Sequence, residues 1–137
     1  MKNILNKKIK KRESFRPFAP SILQEKVKNW FDIKKDDLPN VPFMMQVWHI
    51  QNEKQKLIPA VTHIDGSGRL QTVNEKDNGK YYRLIKAFEN ITNIPMLLNT
   101  SFNENEPIVF KPEEAIECIL RTEMDAIFIN NFLIKKI

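Results

Sequence analysis

Three groups of residues in this chain carry side chains suited to gripping an anion or a carbonyl–amine group. The first is basic. Lys10, Arg12 and Arg16 surround the stiff stretch Phe15-Arg16-Pro17-Phe18. Arg offers a planar fork that matches phosphate or carboxylate, and Lys offers a point charge. Burial of Phe15 and Phe18 would hold Arg16 at a fixed place. The same spacing also fits a solvated basic helix followed by a surface strand. The second group is His63-Ile64-Asp65-Gly66-Ser67-Gly68-Arg69. Its glycine-bearing turn lets backbone N–H groups approach an anion, with Arg69 closing over it. A plain hairpin turn with an exposed arginine is the other reading. The third group is Asn99-Thr100-Ser101-Phe102-Asn103, at the end of an apolar run where ligands bind in open α/β sheets. Amides and hydroxyls donate to phosphate oxygens and read a carbonyl–amine group, and they are equally turn and cap residues. Ser101 has no base beside it, so nucleophilic catalysis is not expected and no residue receives a catalytic role. His49 and His63 lack a further ligand at metal spacing, so no metal site is expected in the chain.

The elements that must position these residues follow from periodicity and punctuation. Ile4, Leu5 and Ile9 predict a short amphipathic helix within residues 2–12. Pro17 and Pro20 bias Arg16–Pro20 to an extended strand or sheet edge. Ser21, with Gln24 three residues on, predicts an N-cap and a helix to about Phe31. Residues 34–42 read as a charged, proline-punctuated loop. Strands are expected over Phe43–Ile50, Leu57–Ile64 and Arg69–Val73, the last two forming a hairpin through Asp65-Gly66. A long helix follows over Asn78–Thr92, then a buried strand at Met96–Leu98 and a loop over Asn99–Pro107. Pro112 opens a helix to about Thr122. Ala126–Ile129 is a strand, and Phe132–Ile134 extends it or pairs with it. This alternation predicts an α/β (α+β) fold with a mixed sheet flanked by helices.

The 137 residues suffice for one domain with one core. The formal net charge of +5 is concentrated in the first sixteen residues, where seven cations face only Glu13. Such an arm suits an anionic ligand, nucleic acid or plain solvation. The single cysteine, Cys118, makes no internal disulfide and falls in a helical pattern, which points to a buried thiol and a cytoplasmic location. No apolar run approaches the ~20 residues that span a bilayer, and no signal-peptide pattern opens the chain. Walker, dinucleotide-binding, paired-cysteine and nucleophile-elbow signatures are missing.

Five stretches, taken in order, resemble the C-terminal domain of the nodulation-type and antibiotic-tailoring O-carbamoyltransferases. They are KIKKRESFRPFAPSIL, IPAVTHIDGSGRLQTV, NGKYYRLIKAFENITNIPMLLNTSFN, EPIVFKPEEAIECILRT and DAIFINNFLI. FRPFAPS and LLNTSFN are the most specific. The resemblance implies a twisted mixed sheet with helices, similar to threonylcarbamoyl-adenylate synthases. It implies a domain that binds carbamoyl phosphate and ATP and makes carbamoyl adenylate. A larger actin-like domain then transfers the carbamoyl group to a hydroxyl acceptor. By motif position it assigns Lys10, Arg16, Arg69 and Asn103 to carbamoyl phosphate, with Arg12, Asn99 and Ser101 as further contacts. The three cations would neutralise phosphate charge as the carbonyl–phosphate bond breaks, and Asn103 would hold the carbamoyl amide by paired hydrogen bonds.

The resemblance also sets expectations about what surrounds the chain. Its residues 1–137 match a single C-terminal domain, N-terminally incomplete and without the actin-like domain, as in a fragment, a split subunit or a remnant. ATP is expected as a substrate, with Mg²⁺ accompanying it. Expected partners are a separate actin-like transferase chain and a second copy of this chain, with no membrane, and nucleic acid is disfavoured. Family patterns here depart in two places. Many members carry an Arg between the SFN stretch and a Gly-Glu-Pro, whereas this chain reads SFNENEPIV. The Gly-Pro-Arg-Ala-Leu-Gly stretch with its own arginine is not found. Two other functions fit the same residues: a phosphate- or nucleotide-binding module without turnover, and a nucleic-acid binder using the basic arm.

Overall fold

The computed structural model describes residues 2–11, 13–34 and 39–136. Arg12 and positions 35–38 of the expected loop lie outside the described residues. The chain divides into two compact units, Pro17–Thr100 and Met1–Arg16 with Ser101–Ile137.

The Pro17–Thr100 unit is built on a mixed four-stranded sheet of order β2-β3-β1-β4. The strands are β1 (Ala19–Leu23), β2 (Gln46–His49), β3 (Ser67–Val73) and β4 (Met96–Asn99). β1 runs parallel to β3 and antiparallel to β4, and β2 is antiparallel to β3. All five residues of β1 are buried, so the end of the segment expected as an extended strand or sheet edge enters a strand, second from one end of the sheet. Pro20 is tolerated there because the parallel register with β3 begins only at Ser21↔Gln71. Ser21 does not cap a helix. It is a fully buried strand residue, and the helix that follows is a 3₁₀ turn over Gln24–Asn29. Burial of Ile22 and Leu23 between neighbouring strands outweighs the local capping signal.

The expected strand over Leu57–Ile64, and its hairpin with β3, are not formed. After the short helix α2 (Asn52–Gln55) the chain turns repeatedly. Leu57 N–H donates to the Lys54 carbonyl, Val61 N–H to that of Ile58, and Thr62 Oγ1 to the same Ile58 oxygen at 2.9 Å. Pro59 supplies no donor for a ladder, and local side-chain bonding wins. The partner of β3 is instead β2, the core of the expected Phe43–Ile50 strand, in the register Val47↔Arg69 and His49↔Ser67. Gly68 allows that packing, since a Cβ there would stand 3.0 Å from Ile50 Cδ1 and 3.3 Å from Phe31 Cε1.

Helix α3 (Glu75–Thr92) starts three residues earlier than its apolar spacing predicts. Asn74 caps it by accepting the Asp77 N–H at 2.9 Å, and the backbone kinks at Asn78. Asn93, at φ 60°, closes it in the left-handed conformation before Pro95. Its Ile85 packs with Leu23 and Val73, each essentially inaccessible. Burying side chains of that size contributes about 1.5–3 kcal/mol apiece.

In the other unit, a helical turn at Lys2–Ile4, here α1, runs on in wider π-type winding through Leu5–Ile9. Helix α4 (Pro112–Arg121) opens on Pro112, and the Glu114 carboxylate accepts the Phe110 and Lys111 N–H groups. Lys136 Nζ donates to the carbonyls of Leu120 and Thr122 at its C-terminal end. Strands β5 (Ala126–Ile129) and β6 (Phe132–Lys135) pair antiparallel, so Phe132–Ile134 pairs with the preceding strand rather than extending it. Asn130 takes the turn at φ 54°. Cys118 lies fully buried in α4.

Candidate functional site

Lys10 ends the N-terminal helical turn, its N–H closing on the Leu5 carbonyl at 2.8 Å. Its side chain is buried, and Nζ reaches the loop after β4. Nζ donates to the Ser101 carbonyl at 2.5 Å, the Asn103 carbonyl at 2.7 Å and Asn103 Oδ1 at 2.8 Å, with Ser101 Oγ at 3.4 Å. Ser101 Oγ also donates to Asn103 Oδ1 at 2.7 Å, and Asn103 Nδ2 donates to the Glu106 carbonyl at 2.6 Å. Three residues picked out from sequence therefore meet in one unit. Asn103 uses both ends of its amide on its own chain, and Ser101 stays exposed at the loop surface.

Carboxylates frame this loop, and cations balance them. Lys11 Nζ pairs with Glu104 at 2.6 Å, and Arg121 pairs with both Glu104 and Glu106. Backbone N–H groups around Glu106, together with Arg121, pull its carboxyl down to about 2. The loop is thus neutralised from within, so its two acids do not simply repel an anion. Arg16 is exposed, and its guanidinium lies 3.9 Å from Glu13. The buried Asn6 fixes the backbone beneath it, donating to the Arg16 carbonyl at 2.9 Å.

Arg69 and Asn99 belong to the sheet unit. Arg69 is exposed on β3 opposite Val47, and it has no ion pair among the described residues. Among the described residues no hydrogen bond joins it to the glycine turn. That turn is satisfied internally, as Ser67 N–H and Oγ–H both donate to Asp65 Oδ1, and Gly66 N–H donates to the His63 carbonyl. These Ser67 bonds hold the Asp65 carboxyl below its ordinary range. Asn99 Nδ2 donates to Gln71 Oε1 at 2.7 Å, and Ser21 Oγ donates to the same oxygen at 2.6 Å. Neither Ser21 nor Gln71 is visible as a site residue in the sequence, because isolated polar residues in a strand carry no spacing signal. Among the described residues no group of three or more His, Cys, Asp or Glu is placed to hold a metal ion. No described helix is long and apolar enough to cross a membrane.

Comparison with known proteins agrees with the motif evidence. Residues 1–136 match the family model described as carbamoyltransferase C-terminus. Nodulation protein NolO of Bradyrhizobium diazoefficiens is 44% identical over 98% of this chain and 25% of its own length. An uncharacterized protein of Synechocystis is 42% identical over 99% of this chain and 25% of its own length. Nodulation protein U of Sinorhizobium fredii is 37% identical over 86% of this chain and 20% of its own length. The chain therefore spans about a quarter of the length of the first of these relatives. With the family model covering nearly every residue, the chain belongs to the carbamoyltransferase C-terminal family.

Proposed function

We propose that this domain binds carbamoyl phosphate and ATP and forms carbamoyl adenylate, which a separate domain uses to carbamoylate a hydroxyl acceptor. The observation that carries this reading is the convergence of Lys10 on Ser101 and Asn103. An ammonium, a hydroxyl and an amide are the donor types that an acyl phosphate takes, and binding would exchange their present bonds within the loop for bonds to phosphate oxygens. Arg16 in one unit and Arg69 in the other are exposed guanidinium groups, each suited in its own unit to phosphate oxygens. Making carbamoyl adenylate joins a carbamate oxygen to the α-phosphorus of ATP. It releases pyrophosphate from ATP and inorganic phosphate from carbamoyl phosphate, with one water consumed. Mg²⁺ carried by ATP would offset its phosphate charge. Preorganised donors of this kind are each worth about 10²-fold or more in rate.

The test combines this chain with the complementary N-terminal part of a nodulation-type relative, carbamoyl phosphate and MgATP. Formation of pyrophosphate and phosphate in equal amounts is expected. Absence of pyrophosphate with every such partner rejects adenylate formation.

A further inference from the structure

One face of the sheet holds a polar network whose orientation is fully determined. The registers Val47↔Arg69, Ser21↔Gln71 and Ala19↔Asn99 put Arg69, Gln71, Ser21, Ala19 and Asn99 on the same side. Gln71 Nε2 donates to the Pro42 carbonyl at 2.8 Å. A carbonyl only accepts, so the Gln71 amide can lie only one way round. Its Oε1 then faces Ser21 and Asn99 and accepts from both. Facing an oxygen, Asn99 must present its NH₂. That leaves Asn99 Oδ1 on the opposite edge, where no described residue donates to it, while Met44 Sδ lies 3.9 Å from Nδ2. Ser21 is fully buried and Gln71 half-buried, so water does not easily reset the arrangement.

The result is an acceptor of fixed direction on a face that also carries the exposed Arg69. Ala19 separates the two, and two strand spacings set their backbones roughly 10 Å apart, within reach of an arginine side chain. Building on the carbamoyl phosphate assignment above, we infer that Gln71 is a positioning residue. It locks Asn99 Oδ1 as the acceptor for the carbamoyl NH₂, so this face selects carbamoyl over acyl phosphates that lack an N–H. Acetyl phosphate has nearly the same shape but puts a methyl where the amine stands. It would leave Oδ1 unpaired, and sites built around a hydrogen-bonding group reject analogues that lack it.

Calorimetric titration of the whole chain with carbamoyl phosphate, acetyl phosphate and inorganic phosphate decides the matter. Wild type should prefer carbamoyl over acetyl phosphate by about tenfold or more. Gln71→Met should cut that preference to about threefold or less with inorganic phosphate affinity retained, while its melting temperature falls because the buried Ser21 hydroxyl loses its acceptor. Equal wild-type affinity for the two acyl phosphates overturns the inference and leaves the carbamoyl phosphate assignment standing. No wild-type binding of carbamoyl phosphate overturns both. A full preference retained in Gln71→Met removes the role of Gln71. If that variant does not fold, the ¹³Cγ resonance of Asn99 in wild type serves. It should move with carbamoyl phosphate and stay with acetyl phosphate, and an unmoved resonance contradicts the inference.

Discussion

Lys10 Nζ and Asn103 Oδ1 lie 2.8 Å apart although 93 residues separate them in sequence. This bond, with those to the Ser101 and Asn103 carbonyls, ties the N-terminal turn to the loop at Ser101–Glu106 within one compact unit. Hydrogen bonds to a charged group contribute about 1.5–3 kcal/mol each. Lys10→Met should therefore destabilise this unit by about 2–3 kcal/mol. Hydrogen exchange at the amides of residues 101–106 should speed up markedly. Unchanged exchange there would show that Lys10 does not hold the loop.

Cys118 is fully buried, and burial pushes its thiol up from the ordinary range, with Glu106 adding to the effect. A thiol-specific colorimetric reagent should leave the native protein untouched and titrate one group after denaturation. Rapid labelling of the native chain would contradict the placement of this residue in the core of α4.

Tyr82 donates its hydroxyl to Glu25 at 2.7 Å, and that carboxylate pushes the phenol up to about 12. A group whose pKa is raised by folding binds its proton more tightly in the folded state. Its contribution to stability is therefore complete below pH 10 and is lost as pH climbs towards 12. Ultraviolet titration should show a late phenolate transition that vanishes in Tyr82→Phe. A difference spectrum between the two proteins that titrates near pH 10 would contradict the Glu25 bond.

Leu23 joins Val73 and Ile85 in the core beneath the sheet. Leu23→Ala should cost about 2–5 kcal/mol, through lost transfer energy and the cavity left behind. Urea denaturation of the two proteins measures it. A cost under about 1 kcal/mol would show a site that collapses freely.

The mixed α/β architecture was legible in the sequence because its long elements carry strong signals. The apolar spacing of Tyr82, Ile85 and Phe88 marked α3, and Pro112 marked the start of α4. The failures occurred where local chemistry and tertiary packing disagree. Ser21 looks like a cap until the sheet closes over both sides of β1. Leu57–Ile64 looks like a strand until Pro59 and the Thr62 hydroxyl fold it into turns. Lys10, Ser101 and Asn103 stood out by residue type and position, and the family motifs added the ligand expected of them. The resemblance has Asn103 grip a ligand amide, whereas the structure has that amide binding Lys10, Ser101 and the Glu106 carbonyl. Gln71 escaped notice because its importance lies in the direction of one amide, which only neighbours on two strands and the Pro42 carbonyl determine.

Calorimetric titration of the chain with carbamoyl phosphate, in wild type and in Arg69→Ala, tests the functional assignment most directly. Saturable one-site binding is predicted for wild type, weakened about tenfold or more in Arg69→Ala, in keeping with a lost charge-assisted contact. No measurable binding by wild type, or equal affinity in the two proteins, would contradict it.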